Sequence, residues 1–334
     1  MMSNSFGEQL RALVEKKKKT ATLAKIYDFW VRNNVDFDLG KYILESNTKD
    51  ISYVSIRFSG LSPLEDISNI FELNKYRPTD IDSASSFSAA VASREIKRVS
   101  TLHSSALCPA LLFHAISEKN PLYIMLSSNN ENVKIGRFTK AQFEKQYPIF
   151  KTHRGTANMD IVLSGKIEGT DIDVELNIES KFTEYAGETP QKSVFSEAYF
   201  DLAKYDMRSK TEKIVVLIRE NSEVLADGRR AMESCSCQLY KHLLGLYNKY
   251  GDNPLSKEVY FTTLAFKWFE DEDEQCTQHF ATINKTLDYL RQLEIRNIRL
   301  LNAKFYAEDI FNSTLNPNFI LSPKIKSLYN LYTE

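Results

Sequence analysis

The residues that could carry out chemistry are two carboxylates and a lysine, Asp160, Glu179 and Lys181. Glu179 and Lys181 lie two positions apart in a segment, 173–181, that alternates polar with apolar residues, so a β-strand would place both on one face. Carboxylates held side by side repel each other unless a cation lies between them. Because a hard divalent ion prefers oxygen ligands, these residues predict a divalent-metal site beside an ammonium group.

A β-hairpin would bring Asp160 to Glu179. A second alternating segment, 159–164, precedes 173–181, and two glycines lie in the connection between them, as in a turn. If the turn centres on Gly169-Thr170, residue i pairs with residue 339 − i, and Asp160 then faces Glu179 with Cβ atoms about 5 Å apart. Because residues 173–181 are polar on one face and apolar on the other, this strand is predicted to be half buried.

The arrangement resembles the signature of the PD-(D/E)XK nuclease superfamily, an Asp on one strand followed by Glu-X-Lys on the next. Here eighteen residues separate Asp160 from Glu179-Ser180-Lys181, and Met159 stands where the signature has a proline. The resemblance implies that Asp160, Glu179 and the Ser180 carbonyl bind Mg²⁺ or Mn²⁺ for phosphodiester hydrolysis. It also implies that Lys181 orients the attacking water and stabilises the transition state. Neighbouring carboxylates would oppose the lowered pKa that a lysine base needs, so positioning is favoured over proton abstraction.

Two more residues are assigned from the same resemblance. Superfamily members often complete the metal site with a Glu on the first helix, and Glu95 is the candidate, in a helix predicted over 88–118. Arg154 precedes the Asp160 strand and could contact a phosphate. Each has a structural alternative: Glu95 as a surface residue in a charged helical turn, and Arg154 as a loop residue paired with a carboxylate.

Gln238 is the last predicted site residue. Gln238-x-x-x-His242 is similar to the Gln-x-x-x-Tyr motif of RecB-like nucleases, in which the Gln supports the site; the His departs from that motif. The alternative is a helix that packs Gly245 on the sheet and leaves Gln238 solvated.

The elements predicted around the hairpin follow the order of the αβββαβ core of the superfamily. The predicted strands are 51–60, 121–126, 133–138 and 258–268. The predicted helices are 6–46, 88–118, 194–205, 223–249 and 274–292. The periodicity of residues 213–219 is compatible with a strand or a helix. We therefore expect an α/β fold with a restriction-endonuclease-like core, a mixed central sheet flanked by helices. Residues 1–85 are expected to form an N-terminal extension with helical character, and 86–334 the nuclease-like domain, with its core at about 90–268.

Composition narrows the function class. The net charge of −1 gives no support to nucleic-acid binding, although a local basic groove is compatible with it. The sequence lacks the run of about 18 apolar residues that a membrane span needs. Four scattered cysteines predict a reducing cytoplasm, and Cys235-Ser236-Cys237 lacks zinc-site spacing. The motifs GxxxxGK[ST], HExxH and GxSxG are absent.

The expected function is a metal-dependent nuclease, an endonuclease of the restriction or repair type that acts on DNA. The competing function is a non-enzymatic DNA-binding or scaffold protein on the same core, and a protein of that kind would have lost one of Asp160, Glu179 and Lys181. The expected partner is nucleic acid, with no membrane, and a homodimer is an arrangement that such an enzyme could adopt.

Overall fold

The computed structural model describes residues 37–46, 49–58, 112–113, 115–127, 133–152, 155–181, 192–206, 209–251, 255–265, 274–301 and 305–321. Within these ranges, no helix is both long and apolar enough to cross a membrane.

A two-stranded antiparallel sheet lies in the N-terminal part. Strands β1 (Phe37–Ser46) and β2 (Lys49–Phe58) pair from Phe37 opposite Phe58 to Ser46 opposite Lys49. The strand predicted over 51–60 is therefore confirmed. The helix predicted over 6–46 is wrong over 37–46, because the backbone there pairs with β2 along its full length. The remainder of that predicted helix lies outside the described residues.

A seven-stranded mixed sheet forms the centre of the described structure. Its strands are β3 (Leu122–Leu126), β4 (Lys134–Pro148), β5 (Thr156–Ile167), β6 (Asp173–Ser180), β10 (Lys257–Ala265), β11 (Ile298–Leu300) and β12 (Phe305–Tyr306). The order is β11-β10-β6-β5-β4-β3, and β12 also pairs with β10. Strands β3 to β6 are antiparallel neighbours, whereas β10 runs parallel to β6. The strands predicted over 121–126, 133–138 and 258–268 correspond to β3, β4 and β10, and residues 266–268 lie outside the described residues.

The β5–β6 hairpin confirms the predicted register. The paired residues run from Lys166 opposite Asp173 to Ile161 opposite Ile178, so each pair sums to 339 as predicted. Gly169, in the turn, has a φ of 72°, a conformation that glycine adopts without a steric penalty. The register thus leads from the turn directly toward Asp160 and Glu179.

In the part of the chain that the structure describes, the helices beside the sheet include α1 (Thr211–Glu220), α2 (Ser234–Tyr250), α3 (Glu274–Arg291) and α4 (Ala307–Phe311). Helix α2 packs on β4 and β5 and against α3. The approach is close at Gly245, where an added Cβ would lie 2.9 Å from Tyr147 Cβ and 3.0 Å from Ala157 Cβ. The predicted α/β class, with a mixed central sheet and flanking helices, is confirmed. Of the helix predicted over 88–118, the described residues Leu112 and Phe113 are helical. The prediction is wrong over 115–118, where the chain turns and Ser117 pairs with Asn120 in an antiparallel bridge.

A small sheet corrects two predicted helices. Strands β7 (Lys192–Phe195), β9 (Arg230–Glu233) and β8 (Glu223–Val224) pair in the order β7-β9-β8. The helix predicted over 223–249 therefore begins only at Ser234, because a turn with Gly228 at a φ of 80° reverses the chain first. The helix predicted over 194–205 is instead β7 and two short 3₁₀ turns, Glu197–Phe200 and Leu202–Lys204. Edge-to-face packing of Phe195 with Tyr199 accompanies these turns.

The outer edge of the central sheet is covered at β3 by a side chain from the C-terminal region. Asn316 Oδ1 accepts a hydrogen bond from the Tyr123 backbone N–H at 2.8 Å, and Asn316 Nδ2 donates to the Tyr123 carbonyl at 2.7 Å. The amide group thus makes both of the bonds that a neighbouring strand would make at Tyr123.

Candidate active site

The polar face of β6 is buried beneath side chains of α2, so the prediction of a half-buried strand is wrong. Glu175, Asn177 and Glu179 are all less than a tenth exposed. β6 lies between β5 and β10 in the sheet, and α2 supplies the cover that a solvated face would not have. Polar side chains on this face must therefore find their partners within the protein.

Helix α2 and strand β6 run in opposite directions and match polar residues at regular intervals. Lys181 Nζ lies 2.6 Å from Gln238 Oε1, Glu179 Oε2 lies 2.7 Å from His242 Nε2, and Glu175 contacts the Tyr250 hydroxyl. Two residues advance a strand by about 6.6 Å and four advance a helix by about 6 Å, so the two periods coincide over this distance. Because the two spacings agree, residues of α2 contact the polar face of β6 at both of its ends.

Lys181 connects the strand to the helix. Its Nζ donates to Glu179 Oε1 and to Gln238 Oε1, each at 2.6 Å. The side chains of Lys181 and Glu179 are only 4% and 3% exposed, whereas Gln238 is exposed, so the group opens to solvent on the Gln238 side. The structure shows a feature of each alternative given for Gln238. Gly245 packs on the sheet, and Gln238, although exposed, bonds to Lys181.

Asp160 lies at the point where the backbone pairing of β5 and β6 ends. Its Oδ2 accepts a hydrogen bond from the Ser180 backbone N–H at 2.8 Å, one residue beyond Glu179. The carboxylate thus takes the place of a carbonyl beyond the last pair, Ile161 with Ile178. The structure brings together Asp160, Glu179, Ser180, Lys181 and Gln238. Glu95 and Arg154 lie outside the described residues, and their roles stay predictions.

Electrostatics keep Glu179 ionised in this buried place. Burial raises the pKa of Glu179, but the Lys181 ammonium and the His242 imidazole outweigh it and hold the pKa below its usual range. Burial, together with the charge of Lys181, lowers the pKa of His279 on α3 to about 3, so that histidine is neutral. Sequence reasoning missed His279, which adjoins the apolar stripe of α3 and carries no motif of its own.

The donor chemistry fits a hard divalent ion. Asp160 and Glu179 supply carboxylate oxygens from adjacent strands, and the Ser180 carbonyl is the third oxygen of the predicted set. Both oxygens of Glu179 are engaged by nitrogen donors, Lys181 at Oε1 and His242 at Oε2. In the described part of the chain, no cluster of three or more His, Cys, Asp or Glu residues forms a ready-made metal site. The predicted site has only two such side chains, Asp160 and Glu179, because its third oxygen is a backbone carbonyl.

A second buried carboxylate, Glu175, lies on the same face of β6 toward the other end of the strand. The cluster around it, here called the Glu175 cluster, consists of Lys145, Tyr147, Asn177, Tyr250 and Lys257. Lys145 and Lys257 donate to Oε2 at 3.1 and 2.9 Å, and the other three members donate to Oε1. The cluster joins β4, β6, β10 and α2, and its polar groups are satisfied within the protein.

Comparison with known proteins gives one family. The model of the family described as restriction endonuclease associating with ARP matches residues 65–265, more than half of the 334-residue chain. No curated protein and no solved structure matches the chain. The restriction-endonuclease-like part of the resemblance is thereby confirmed, and the chain belongs to the family of restriction endonucleases associating with ARP.

Proposed function

We propose that this protein is a metal-dependent nuclease that hydrolyses phosphodiester bonds in DNA, built on the PD-(D/E)XK core. The observation that carries the proposal is the joining of Asp160, Glu179 and Lys181 where β5 and β6 cease to pair. Asp160 bonds to the peptide N–H that follows Glu179, and Lys181 bonds to the Glu179 carboxylate. The family supports a nuclease. The antiparallel strands β4, β5 and β6, then α2, then the parallel strand β10 support the core.

Each residue has a chemical role in this proposal. Asp160, Glu179 and the Ser180 carbonyl would hold Mg²⁺ or Mn²⁺, which supplies a Lewis acid that lowers the pKa of a bound water and neutralises developing negative charge. Lys181 Nζ, held between Glu179 and Gln238, orients the attacking water and stabilises the charged transition state. A positioning role suits Lys181 because the adjacent carboxylate favours its protonated form.

The substrate phosphate would enter from the Gln238 side. Gln238 is exposed, whereas Glu179 and Lys181 are buried beneath α2 and His242 is buried on its inner face. Bonded to Lys181, the Gln238 amide then lies between solvent and the ammonium, where it can also contact the incoming phosphate. Electrostatic attraction of DNA would be a local property of this opening, since the whole chain carries a net charge of only −1.

A non-enzymatic protein on the same core is the second candidate. Its support is that the buried Glu179 carboxylate already has nitrogen donors on both oxygens. Such a site could be purely structural, with Lys181 serving as the permanent partner of Glu179. Retention of Asp160, Glu179 and Lys181 together favours the enzyme.

The test is cleavage of supercoiled plasmid, linear duplex DNA and single-stranded RNA by the full chain with Mg²⁺, Mn²⁺ or EDTA. The variants are Asp160→Asn and Lys181→Ala, and the matched control is Lys166→Ala, an exposed lysine on β5 that pairs with Asp171 at 3.2 Å. We expect metal-dependent DNA cleavage by the wild type and the control, and strong loss in both site variants. If the folded wild type cleaves neither DNA nor RNA with any metal, the non-enzymatic function replaces the proposal.

A further inference from the structure

His242 contacts the proposed metal ligand Glu179, although it departs from the motif that its position resembles. We propose that His242 is a positioning residue: its Nε2–H holds one oxygen of Glu179, so that the other oxygen is presented to the metal ion. The inference rests on the proposed function and concerns a residue that the nuclease signature does not include.

Among the described residues, the His242 imidazole has one polar partner. Nε2 lies 2.7 Å from Glu179 Oε2, and the ring packs edge-to-face on Phe261, with centroids 6.1 Å apart. His242 is 4% exposed, and its Nδ1 is buried without a hydrogen-bond partner among the described residues. Because Nε2 faces a carboxylate oxygen, it must be the nitrogen that carries the hydrogen.

A purely packing role does not account for this ring. A buried polar atom without a partner destabilises the fold, a cost that a leucine or methionine at the same place would avoid. What the histidine provides in return is a rigid N–H donor, fixed by Phe261 and aimed at one oxygen of Glu179.

The two oxygens of Glu179 have different partners, and the difference matters once a metal binds. Lys181 holds Oε1 through a flexible side chain that also bonds Gln238, whereas His242 holds Oε2 through a ring confined by packing. If Glu179 held a metal ion, His242 would remain as the donor that fixes the rotation of the carboxylate. Loss of a hydrogen-bond partner of a metal ligand typically lowers metal affinity or activity by about 10- to 100-fold.

The test uses side chains of different length at position 242 to distinguish a hydrogen-bond donor from a residue that only fills space. His242→Gln keeps an amide N–H at about the distance of Nε2, His242→Asn keeps the amide but places it too close to the helix, and His242→Leu removes it. Tyr240→Phe is the matched control on α2, since Tyr240 is buried like His242 but its hydroxyl faces Asn221 rather than Glu179. Mn²⁺ affinity is measured by electron paramagnetic resonance on the full chain without DNA, and folding by thermal unfolding in EDTA.

We expect His242→Leu and His242→Asn to bind Mn²⁺ at least about tenfold more weakly, with the wild-type affinity largely recovered in His242→Gln and unchanged in Tyr240→Phe. Equal affinity in wild type, His242→Gln and His242→Asn would overturn the inference, as would equal weakening by Gln and Asn. The Gln and Asn pair decides the matter even if His242→Leu fails to fold. If the wild type binds Mn²⁺ and the His242 variants bind it equally well, the role of His242 is refuted but the nuclease proposal is not. A wild type that binds neither Mn²⁺ nor Mg²⁺ overturns both proposals.

Discussion

Replacing Glu175 with Gln should destabilise the fold, and the loss should depend on pH. Burial raises the pKa of Glu175, but Lys145 and Lys257 outweigh it, and with the hydroxyl donors they lower the pKa from 4.5 to about 2. A carboxyl whose pKa is lower in the folded chain stabilises the fold at every pH above its unfolded pKa. That contribution is lost as the pH falls from the unfolded value toward the folded one, here from 4.5 to about 2.

The magnitude follows from the same two pKa values. At about 1.36 kcal/mol per pH unit, a fall from 4.5 to about 2 corresponds to about 3 kcal/mol of stability at pH 7. The Glu175 side chain is only 5% exposed, so solvent does little to screen its ion pairs. At pH 3 the unfolded carboxyl is mostly protonated and the folded one is mostly ionised, and about 1.5 kcal/mol remains.

The assay is urea unfolding, followed by circular dichroism at pH 7, 5 and 3. The difference between wild type and Glu175→Gln should be about 3 kcal/mol at pH 7 and about half that at pH 3. Glu223→Gln is the control, since Glu223 forms an exposed ion pair with Lys192 at 2.6 Å and should contribute less than about 1 kcal/mol. A Glu175→Gln protein as stable as wild type at pH 7, or one equally destabilised at both extremes, would refute the reasoning.

Three further predictions concern the site and its support. Lys181→Ala should destabilise the fold, because it leaves the buried Glu179 carboxylate without its ammonium partner. In folded protein at saturating Mg²⁺ it should lower DNA cleavage by about 10²-fold or more, and wild-type activity there would remove Lys181 from the mechanism. Asp160→Asn should abolish Mg²⁺ and Mn²⁺ binding, and calorimetry that shows unchanged affinity would contradict its role as a ligand. Gly245→Ala should lower the free energy of unfolding by about 1–3 kcal/mol, because the new Cβ would lie 2.9 Å from Tyr147 Cβ. Urea unfolding measures this loss, and an unchanged midpoint would show that α2 can move away from the sheet.

The hairpin that carries the site could be predicted because its determinants are local. Alternation, two glycines and one turn position were enough to fix the register that pairs Ile161 with Ile178. The same register leads to Asp160 and Glu179. The family match supports the class of enzyme that this local pattern indicated.

The surroundings of the hairpin depend on residues far apart in the sequence, and there prediction failed. The alternation in β6 indicated a solvated polar face, but α2 covers that face with residues 57 and 75 positions away from their partners, Gln238 on Lys181 and Tyr250 on Glu175. The Glu175 cluster has no local signal, because its lysines lie on strands β4 and β10. The strands β8 and β9 were missed although Asp227-Gly228 is a strong turn signal, because the apolar periodicity of α2 was extended backward across it.

The amide of Asn316 has a consequence for how the molecule behaves among its copies. An open sheet edge can recruit another chain by backbone pairing, and growth of this kind leads to aggregates. Asn316, 193 residues away in the sequence, satisfies both the N–H and the carbonyl of Tyr123, so this position of the edge offers nothing to an incoming strand. Asn316 thus blocks backbone pairing at this point of β3 and removes one place at which a second copy of the chain could add a strand.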